Sequence, residues 1–250
     1  MVVGQRSVVE EMSRYAFIVT SAINTKFGVY SSEQRLAQTL DTIKSIKDRV
    51  SDPLIIVLEV AGVPLTEYQR AALTDNCNHL IDFTADPNVV GLYASDNWDV
   101  VKNVTEVLCF GNALRMLNAD VGMFKGVDRI FKVSGRYVLT DDFDISYYDA
   151  YNIKPFVVIG PDQESQFPYQ VTQVKRQYMA RLWSWPTSLT DEVIGVYTNS
   201  LNYMYERLAA GGYADIEHVL YKFLDPEKLI QKPILGVKGN IAPNGVPISN

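Results

Sequence analysis

Residues 129–148 read RIFKVSGRYVLTDDFDISYY, an apolar run that breaks at a serine and a glycine and is followed by clustered acids. Phe131 and Val133 predict a short strand, and Ser134 and Gly135 predict the turn that ends it. Cations and clustered acids just past the carboxyl end of a strand are typical of a ligand site in an open α/β sheet. The alternative is a plain turn followed by a solvated acidic loop, which the stretch alone favours.

A length of 250 residues suits one globular α/β domain over residues 1–250, or one domain with a small addition. The apolar fraction of 47% is ordinary for a packed core and too high for a disordered chain. The net charge of −6 argues against nucleic-acid and membrane-surface partners, although it leaves room for a local basic pocket. Cys77 and Cys109 form neither a metal-type pair nor a disulfide framework. No run reaches the ~18 apolar residues of a membrane span. The sequence therefore predicts a cytoplasmic protein.

The first half of the chain alternates strands with helices. Apolar runs predict the strands, and an apolar period of three to four residues predicts the helices. The order β-α-β-α-β is typical of a Rossmann-type parallel sheet with helices on both faces. The predicted ranges are strands at 15–23, 54–60, 79–83 and 129–133, helices at 31–46, 66–76 and 100–118, a polar lead-in at 1–14 and a polar loop at 84–99.

The second half predicts a C-terminal antiparallel hairpin plus helices. Alternating polar positions indicate two longer, more exposed strands at 156–159 and 169–183. Trp183 and Trp185 would share one face of a strand, where they either stack an acceptor sugar or a base, or lie buried beneath the following helix. Both interpretations are open. Helices are predicted at 189–210 and 215–223, and a short strand followed by a glycine- and asparagine-rich loop at 234–245.

Polar side chains follow the predicted strands and helix starts at one edge of the sheet. Thr20 and Ser21 end the first strand, where they either hydrogen-bond a ligand or make an ordinary strand-end turn. Arg35 lies in the first turn of a helix, a position that the helix dipole disfavours for a cation. The arginine therefore either faces an anion such as a diphosphate or pairs with Glu33 or Glu59.

The order of elements and one short motif resemble GT-A-type glycosyltransferases. The segment 131–137, FKVSGRY, is similar to the K-[IV]-S-G-R-Y segment of small bacterial and viral sugar transferases and of WavE-like surface-polysaccharide proteins. The segments 32–36 and 215–218 fit the same kind of protein, and the resemblance covers residues 15–245. It implies a single GT-A-like domain in which residues 15–149 bind a nucleotide sugar and residues 150–250 bind the acceptor.

The resemblance also implies an activity, in polysaccharide biosynthesis. A UDP- or GDP-sugar would donate its sugar to a glycan or surface-protein acceptor. Such enzymes usually place an Asp-x-Asp at the end of the fourth strand, where it holds Mg²⁺ or Mn²⁺ against the diphosphate. This chain departs from that pattern, because Ser134, Gly135 and Arg136 occupy the position.

Two interpretations of the departure remain open. Asp142 and Asp144, with His218, would hold a hard cation through oxygen ligands. Alternatively, Arg136 and Lys132 would neutralise the diphosphate directly. The second is favoured because Arg136 occupies the key position.

If the implied transfer inverts the configuration of the anomeric carbon, it needs a carboxylate that takes the proton from the acceptor hydroxyl. Glu217 is the first candidate and Asp142 the second. The alternative for Glu217 is a helix-start acid that the helix dipole stabilises. Lys102, in the first turn of the helix predicted at 100–118, either points at the donor or is solvated.

Two other functions compete with a glycosyltransferase. A non-catalytic binding or structural protein, viral or surface-associated, fits the missing Asp-x-Asp and the aromatic-rich second half. A nucleotidyltransferase fits less well, because the sequence lacks the glycine-rich, basic N-terminal loop of such enzymes. The sequence also lacks P-loop, GxGxxG, GxSxG and HExxH motifs, so a Ser-His-Asp interpretation with His218 has no nucleophile elbow to support it.

Overall fold

A computed structural model of the chain describes residues 13–240 and 247–249. Residues 1–12 of the predicted lead-in and residues 241–246 of the predicted loop lie outside this range. The strands are β1 (Tyr15–Ser21), β2 (Leu54–Glu59), β3 (His79–Asp82), β4 (Arg129–Ser134), β5 (Tyr137–Leu139), β6 (Val157–Ile159), β7 (Asp162–Glu164), β8 (Arg176–Tyr178), β9 (Leu182–Pro186), β10 (Leu229–Gln231), β11 (Val237–Asn240) and β12 (Pro247–Ser249). The α-helices are α1 (Ser32–Lys47), α2 (Glu67–Thr74), α3 (Pro87–Tyr93), α4 (Thr105–Ala119), α5 (Tyr169–Thr172), α6 (Thr190–Ala209) and α7 (Ile216–Phe223). A π-helical turn at Val100–Val104 leads into α4.

Seven of the strands form one sheet in the order β10-β6-β9-β4-β1-β2-β3. The neighbours β4, β1, β2 and β3 run parallel, whereas β9 is antiparallel to both β4 and β6. The chain leaves β1 toward β2 and β3, then crosses back and places β4 on the other side of β1. Open α/β sheets bind ligands at the carboxyl ends of the strands that flank such a switch point.

Alternate residues of β1 face opposite sides of the sheet, and both sides are buried. Phe17 and Val19 belong to a core cluster that includes α1, whereas Ala16 and Ile18 belong to a cluster that includes α4 and α6. Helices therefore cover both faces, as predicted. This double burial explains why β1 is an apolar run rather than an alternating one.

Side-chain caps fix where the helices that border the sheet begin. Ser31 and Gln34 form a capping box at α1, and Thr66 and Gln69 form one at α2. Asp215 caps α7 by accepting from a backbone N–H. These starts agree with the predicted helices. No helix within residues 13–240 is both long enough and apolar enough to cross a lipid bilayer.

Three predicted segments fold differently. The predicted loop at 84–99 contains α3, because Asp86 accepts from the first N–H groups and Pro87 fits the first turn. The predicted strand at 169–183 is divided, since Gln173 adopts a left-handed conformation with φ of 53° after the short helix α5. The antiparallel hairpin is formed by β7 and β8 instead. The predicted exposed strand at 156–159 is β6, which is buried within the main sheet.

A buried arginine anchors the start of β4. Arg129 is 2% exposed. Its Nη2 donates to the carbonyl oxygens of Lys154 at 2.8 Å and Phe156 at 3.0 Å, and its Nη1 donates to Ser184 Oγ at 3.0 Å. Burial lowers the pKa of Arg129 to about 10, so the guanidinium stays charged at neutral pH. The arginine therefore joins β4, β9 and the turn before β6 at the end of the sheet opposite the strand ends that face the switch point.

Candidate functional site

A cleft opens at the switch point, where β1 and β4 end. Its inner part, the inner cleft, holds about 720 Å³ of space unfilled by protein atoms, some of it open to solvent. Its outer part, the outer cleft, holds about 1410 Å³ by the same measure. The two parts share a set of lining residues and therefore adjoin each other. The shared residues are Trp98, Lys102, Glu106, Ser134 and Arg136.

The structure brings most of the residues singled out in the sequence to this cleft. The inner cleft is lined by Thr20, Ser21, Arg35, Lys102 and Arg136. The outer cleft adds Lys132 and Glu217. The strand ends, the first turn of α1 and the turn before α4 therefore converge as the α/β topology requires.

Gly135 allows β4 to approach β1 and α1 closely on the floor of the cleft. Its N–H donates to the carbonyl oxygen of Thr20 at 2.8 Å. A Cβ at this position would lie 2.9 Å from Thr39 Oγ1 and 3.1 Å from the Thr20 carbonyl oxygen. The backbone oxygen belongs to a paired strand and cannot move aside easily, so a side chain at position 135 would force its neighbours to shift.

We expect Gly135→Ala to lower the free energy of unfolding by about 1–3 kcal/mol, because overpacking a tight site costs that much. Gly195→Ala is the matched control, since a Cβ at Gly195, on α6, meets nothing within 4 Å. Alanine in a helix is favoured over glycine by roughly 0.5–1 kcal/mol, so the control should gain stability. Urea unfolding followed by circular dichroism measures both. If Gly135→Ala were as stable as the wild type, the inferred close approach of β4 to β1 and α1 would be wrong.

Arg35 is a buried cation at the inner cleft. It is 7% exposed, and its guanidinium makes hydrogen bonds of 3.3–3.5 Å to carbonyl oxygens of the loop 22–30. It forms no ion pair with Glu33 or Glu59, the partners that the sequence suggested as an alternative. Burial and the nearby charge of Arg136 lower the pKa of Arg35. The two guanidinium groups therefore repel each other across the cleft.

Lys132 forms an ion pair with a carboxylate, whereas Arg136 forms none among the described residues. Its Nζ lies 2.7 Å from Glu106 Oε1, and Thr20 Oγ1 donates to the same oxygen at 3.4 Å. Burial would raise the pKa of Glu106, but the charges of Lys132, Arg136 and Lys102 hold it below its usual range. The ionised Glu106 therefore matches the charge of Lys132. Of the two cations that the sequence suggested for neutralising a diphosphate, Lys132 therefore already has an acidic partner.

The Tyr137 ring supports two arginines at the cleft. The Cζ atoms of Arg136 and Arg181 each lie 5.9 Å from the centre of this ring. Tyr137 is 5% exposed and forms a fixed platform for the guanidinium groups. Arg136 Nη2 also lies 3.4 Å from Ser134 Oγ. The serine, the arginine and the tyrosine of the SGRY motif thus belong to one arrangement.

Asp215 and Glu217 contribute acids to the wall of the outer cleft. Asp215 caps α7, and Glu217 lies in the first turn of that helix without a side-chain partner of its own among the described residues. Burial and the neighbouring Asp215 raise the pKa of Glu217 to about 7, while Lys102 opposes the rise. A carboxylate that titrates near neutral pH and lines a cleft is suited to accept a proton.

His218 connects Ser165 and Asp215 by hydrogen bonds. Its Nε2 lies 2.8 Å from Ser165 Oγ, and its Nδ1 lies 2.5 Å from Asp215 Oδ1. The connectivity is that of a Ser-His-Asp triad, but the Ser165 hydroxyl also bonds the backbone of Phe167, and neither Ser165 nor His218 lines the cleft. The histidine instead ties the loop 165–167 to α7 and orients Asp215.

The predicted metal ligands are not brought together. Both ring nitrogens of His218 are engaged as described, and Asp144 caps a turn by accepting from Ser146. Asp142 and Asp144 are exposed and line neither part of the cleft, because the chain continues from Arg136 into β5 and carries both acids away from the end of β4. The same placement removes Asp142 as a candidate base. Within the described part of the chain, no group of three His, Cys, Asp or Glu residues could hold a metal ion.

The tryptophan pair lies in the core. Trp183 and Trp185 share a face of β9, as predicted, but are 1% and 0% exposed. They pack with Phe110 of α4 and Tyr197 of α6. The prediction that they bind an acceptor is therefore corrected, because β9 is a central strand whose face is covered by helices.

Other aromatic residues line the cleft, and sequence analysis missed them. Phe27, Tyr93 and Trp98 line the inner cleft, whereas Phe167 and Tyr213 line the outer cleft. The rings of Phe27 and Trp98 lie 5.2 Å apart between centroids. The local sequence gives no signal for these residues, because single aromatic side chains in polar segments, such as Trp98 within 95–99, are common at protein surfaces.

Many solved structures are similar to this chain, two glycosyltransferase structures among them. The chain is similar to core-mannan synthase A from Aspergillus fumigatus in its Mn/GDP form, with a TM-score of 0.51 and 11% identity over 98% of this chain and 80% of the other. It is also similar to an active-site mutant of LgtC, with a TM-score of 0.55 and 12% identity over 86% and 72%. No protein-family model and no curated protein matches the sequence. At this identity the likeness concerns the fold, and it confirms the predicted GT-A-like, Rossmann-type class.

Proposed function

We propose that this protein is a glycosyltransferase that moves a sugar from a nucleoside-diphosphate donor to a glycan or glycoprotein acceptor. The cation-lined inner cleft at the switch point carries the proposal. Arg35, Lys102 and Arg136 line this cleft in a protein whose net charge is −6. Such a local reversal of charge suits a diphosphate. The shared fold with core-mannan synthase A, known in a Mn/GDP form, supports the choice of ligand.

Glu217 is the general base in this proposal. The acceptor oxygen attacks the anomeric carbon, its proton passes to the Glu217 carboxylate, and the nucleoside diphosphate leaves. Asp215 is a positioning residue, since its charge raises the pKa of Glu217 and His218 fixes its orientation. Direct attack of this kind inverts the configuration of the anomeric carbon.

The two halves of the chain bind different substrates in this proposal. Residues 15–149 supply the inner cleft and hold the nucleotide sugar. Residues 150–250 supply the outer wall, where Gln163, Gln177 and Phe167 offer amides for sugar hydroxyls and an aromatic face for a sugar ring. This division is the one that the resemblance to WavE-like sugar transferases implies, and the same resemblance supports a proposed role in polysaccharide biosynthesis.

A thermal-shift panel tests the proposal. UDP, GDP, CDP and ADP are each added to the wild-type protein, with uridine, guanosine and inorganic phosphate as controls. A ligand present at ~100 times its dissociation constant adds about 2.7 kcal/mol to the stability of the folded state, enough for a clear melting shift. We expect one nucleoside diphosphate to shift the melting temperature more than its nucleoside. If no nucleoside diphosphate shifts the melting temperature, the non-catalytic alternative is favoured.

A further inference from the structure

The strand end that carries a metal-binding Asp-x-Asp in many proteins of this fold is cationic here. Ser134, Gly135 and Arg136 occupy it, and the acids that follow at 141–144 lie outside both parts of the cleft. Glu106 lines the cleft together with Ser134 and Arg136, but its Oε1 is bound by Lys132 at 2.7 Å. The residues present therefore do not fit a divalent cation at the donor site.

Unpaired cations occupy the same place. Among the residues that the structure describes, no carboxylate lies within ion-pair distance of Arg35, Lys102 or Arg136. All three line the inner cleft. The one acid lining that cleft, Glu106, is matched by Lys132. The side chains that line the inner cleft therefore carry excess positive charge.

The positive charges of Arg35 and Arg136 repel each other. The charge of Arg136 contributes to the lowered pKa of Arg35 and to the lowered pKa of Glu106, so these groups share one electrostatic environment. Repulsion between like charges in a partly buried site disfavours the charged forms unless an anion is present. A ligand with several negative charges would relieve this repulsion.

Arg136 is also held in place before any ligand arrives. The Tyr137 ring lies beneath it, at 5.9 Å from Cζ, and Gly135 keeps its backbone against β1. A guanidinium group fixed in this way can donate two parallel hydrogen bonds to a phosphate without losing much side-chain entropy. Preorganised positive charge of this kind can stabilise a leaving group.

We infer that this protein binds a nucleoside diphosphate and stabilises its departure with Arg136 and Lys102, assisted by Arg35, in place of a divalent cation. The inference rests on the proposed function. In the transfer step the bond between the anomeric carbon and the β-phosphate oxygen breaks, and its electron pair stays on that oxygen. The acceptor oxygen forms the new bond to the anomeric carbon and gives its proton to Glu217. The charge gained by the leaving diphosphate falls beside the two cations.

Calorimetric titration of UDP and GDP into the full chain tests this inference, in EDTA and in Mn²⁺. We expect the same dissociation constant in both conditions, within about threefold. Arg136→Ala and Lys102→Ala should each weaken binding by about 10- to 100-fold, since a hydrogen bond to a charged group contributes that much. Arg136→Lys should recover part of the loss, because it restores the charge without the fork.

Arg115→Ala is the matched control, because Arg115 is an exposed arginine of α4 that bonds Asn112 and Thr198 outside the cleft. It should bind as the wild type does. Melting curves of every variant establish that each is folded. Binding that requires Mn²⁺, or binding in EDTA that neither Arg136→Ala nor Lys102→Ala weakens, would overturn the inference and leave the proposed function standing. Failure of both UDP and GDP to bind, in EDTA and in Mn²⁺ alike, would overturn the proposed function itself.

Discussion

Glu217→Gln is expected to reduce sugar transfer by about 10²–10⁴-fold, the usual contribution of a general base, and to leave nucleoside-diphosphate binding unchanged. Glutamine keeps the shape of the side chain but cannot accept the acceptor proton. Release of nucleoside diphosphate from the donor, followed in the presence of acceptor, gives kcat, and calorimetry gives the binding constant. A fall in both would indicate that Glu217 binds the donor instead of acting on the acceptor.

Glu206→Gln is the matched control, because Glu206 is an exposed acid near the end of α6 and the substitution removes the same charge. It should transfer sugar at the wild-type rate. A pH profile gives an independent check. Since kcat/KM reports the free enzyme, its logarithm should rise with pH until Glu217 is ionised, near its pKa of about 7, and then level off. The rise should be absent in Glu217→Gln.

Arg129→Met should lower the free energy of unfolding by about 2–4 kcal/mol, because it removes the hydrogen bonds that a buried guanidinium donates to the carbonyl oxygens of Lys154 and Phe156 and to Ser184 Oγ. The carbonyl oxygens of Ile153, Lys154 and Phe156 all accept from Arg129 Nη2. Methionine fills much of the same volume, so the loss reports hydrogen bonds more than cavity formation. Guanidinium unfolding measures it.

Arg14→Met serves as the control for this substitution. Arg14 pairs with Asp128 and Asp149 at the same corner of the sheet, but its side chain is 53% exposed. Exposed ion pairs contribute about 0–1 kcal/mol, so this variant should be nearly as stable as the wild type. Similar losses from Arg129→Met and Arg14→Met would show that the buried arginine has no special role.

The parallel half of the fold could be predicted because its signals are local. β1 and β2 are apolar runs, since both faces of each strand are covered, and Ser31 and Thr66 mark the starts of their helices through capping boxes. The switch point then follows from the order of the elements. Thr20 and Arg136 follow strands that flank this switch point, so the order of the elements alone predicts that they lie at one cleft.

The remaining features depend on pairings between distant segments, which a single sequence does not display. Tyr137 pairs with Gly239 across β5 and β11, and this pairing carries Asp142 and Asp144 away from the cleft. The insertion of β9 between β4 and β6 buries Trp183 and Trp185. Such contacts are set by tertiary packing and override local patterns.

The cleft itself was only partly predictable for the same reason. Lys132 and Glu106 are 26 residues apart, and nothing in either local segment indicates that they pair. Ser165 and His218, which are hydrogen-bonded and connect to Asp215, are 53 residues apart in the sequence. Residue types alone suggested a cationic strand end, whereas the balance between paired and unpaired cations required the folded chain.

A crystal structure of the protein with the best-binding nucleoside diphosphate, grown in EDTA, tests the central claim most directly. We predict that the diphosphate lies between the ends of β1 and β4, with its oxygens within hydrogen-bond distance of Arg136 and Lys102 and its terminal phosphate toward Glu217. A nucleotide bound elsewhere on the chain, with the inner cleft filled only by water, would contradict the account.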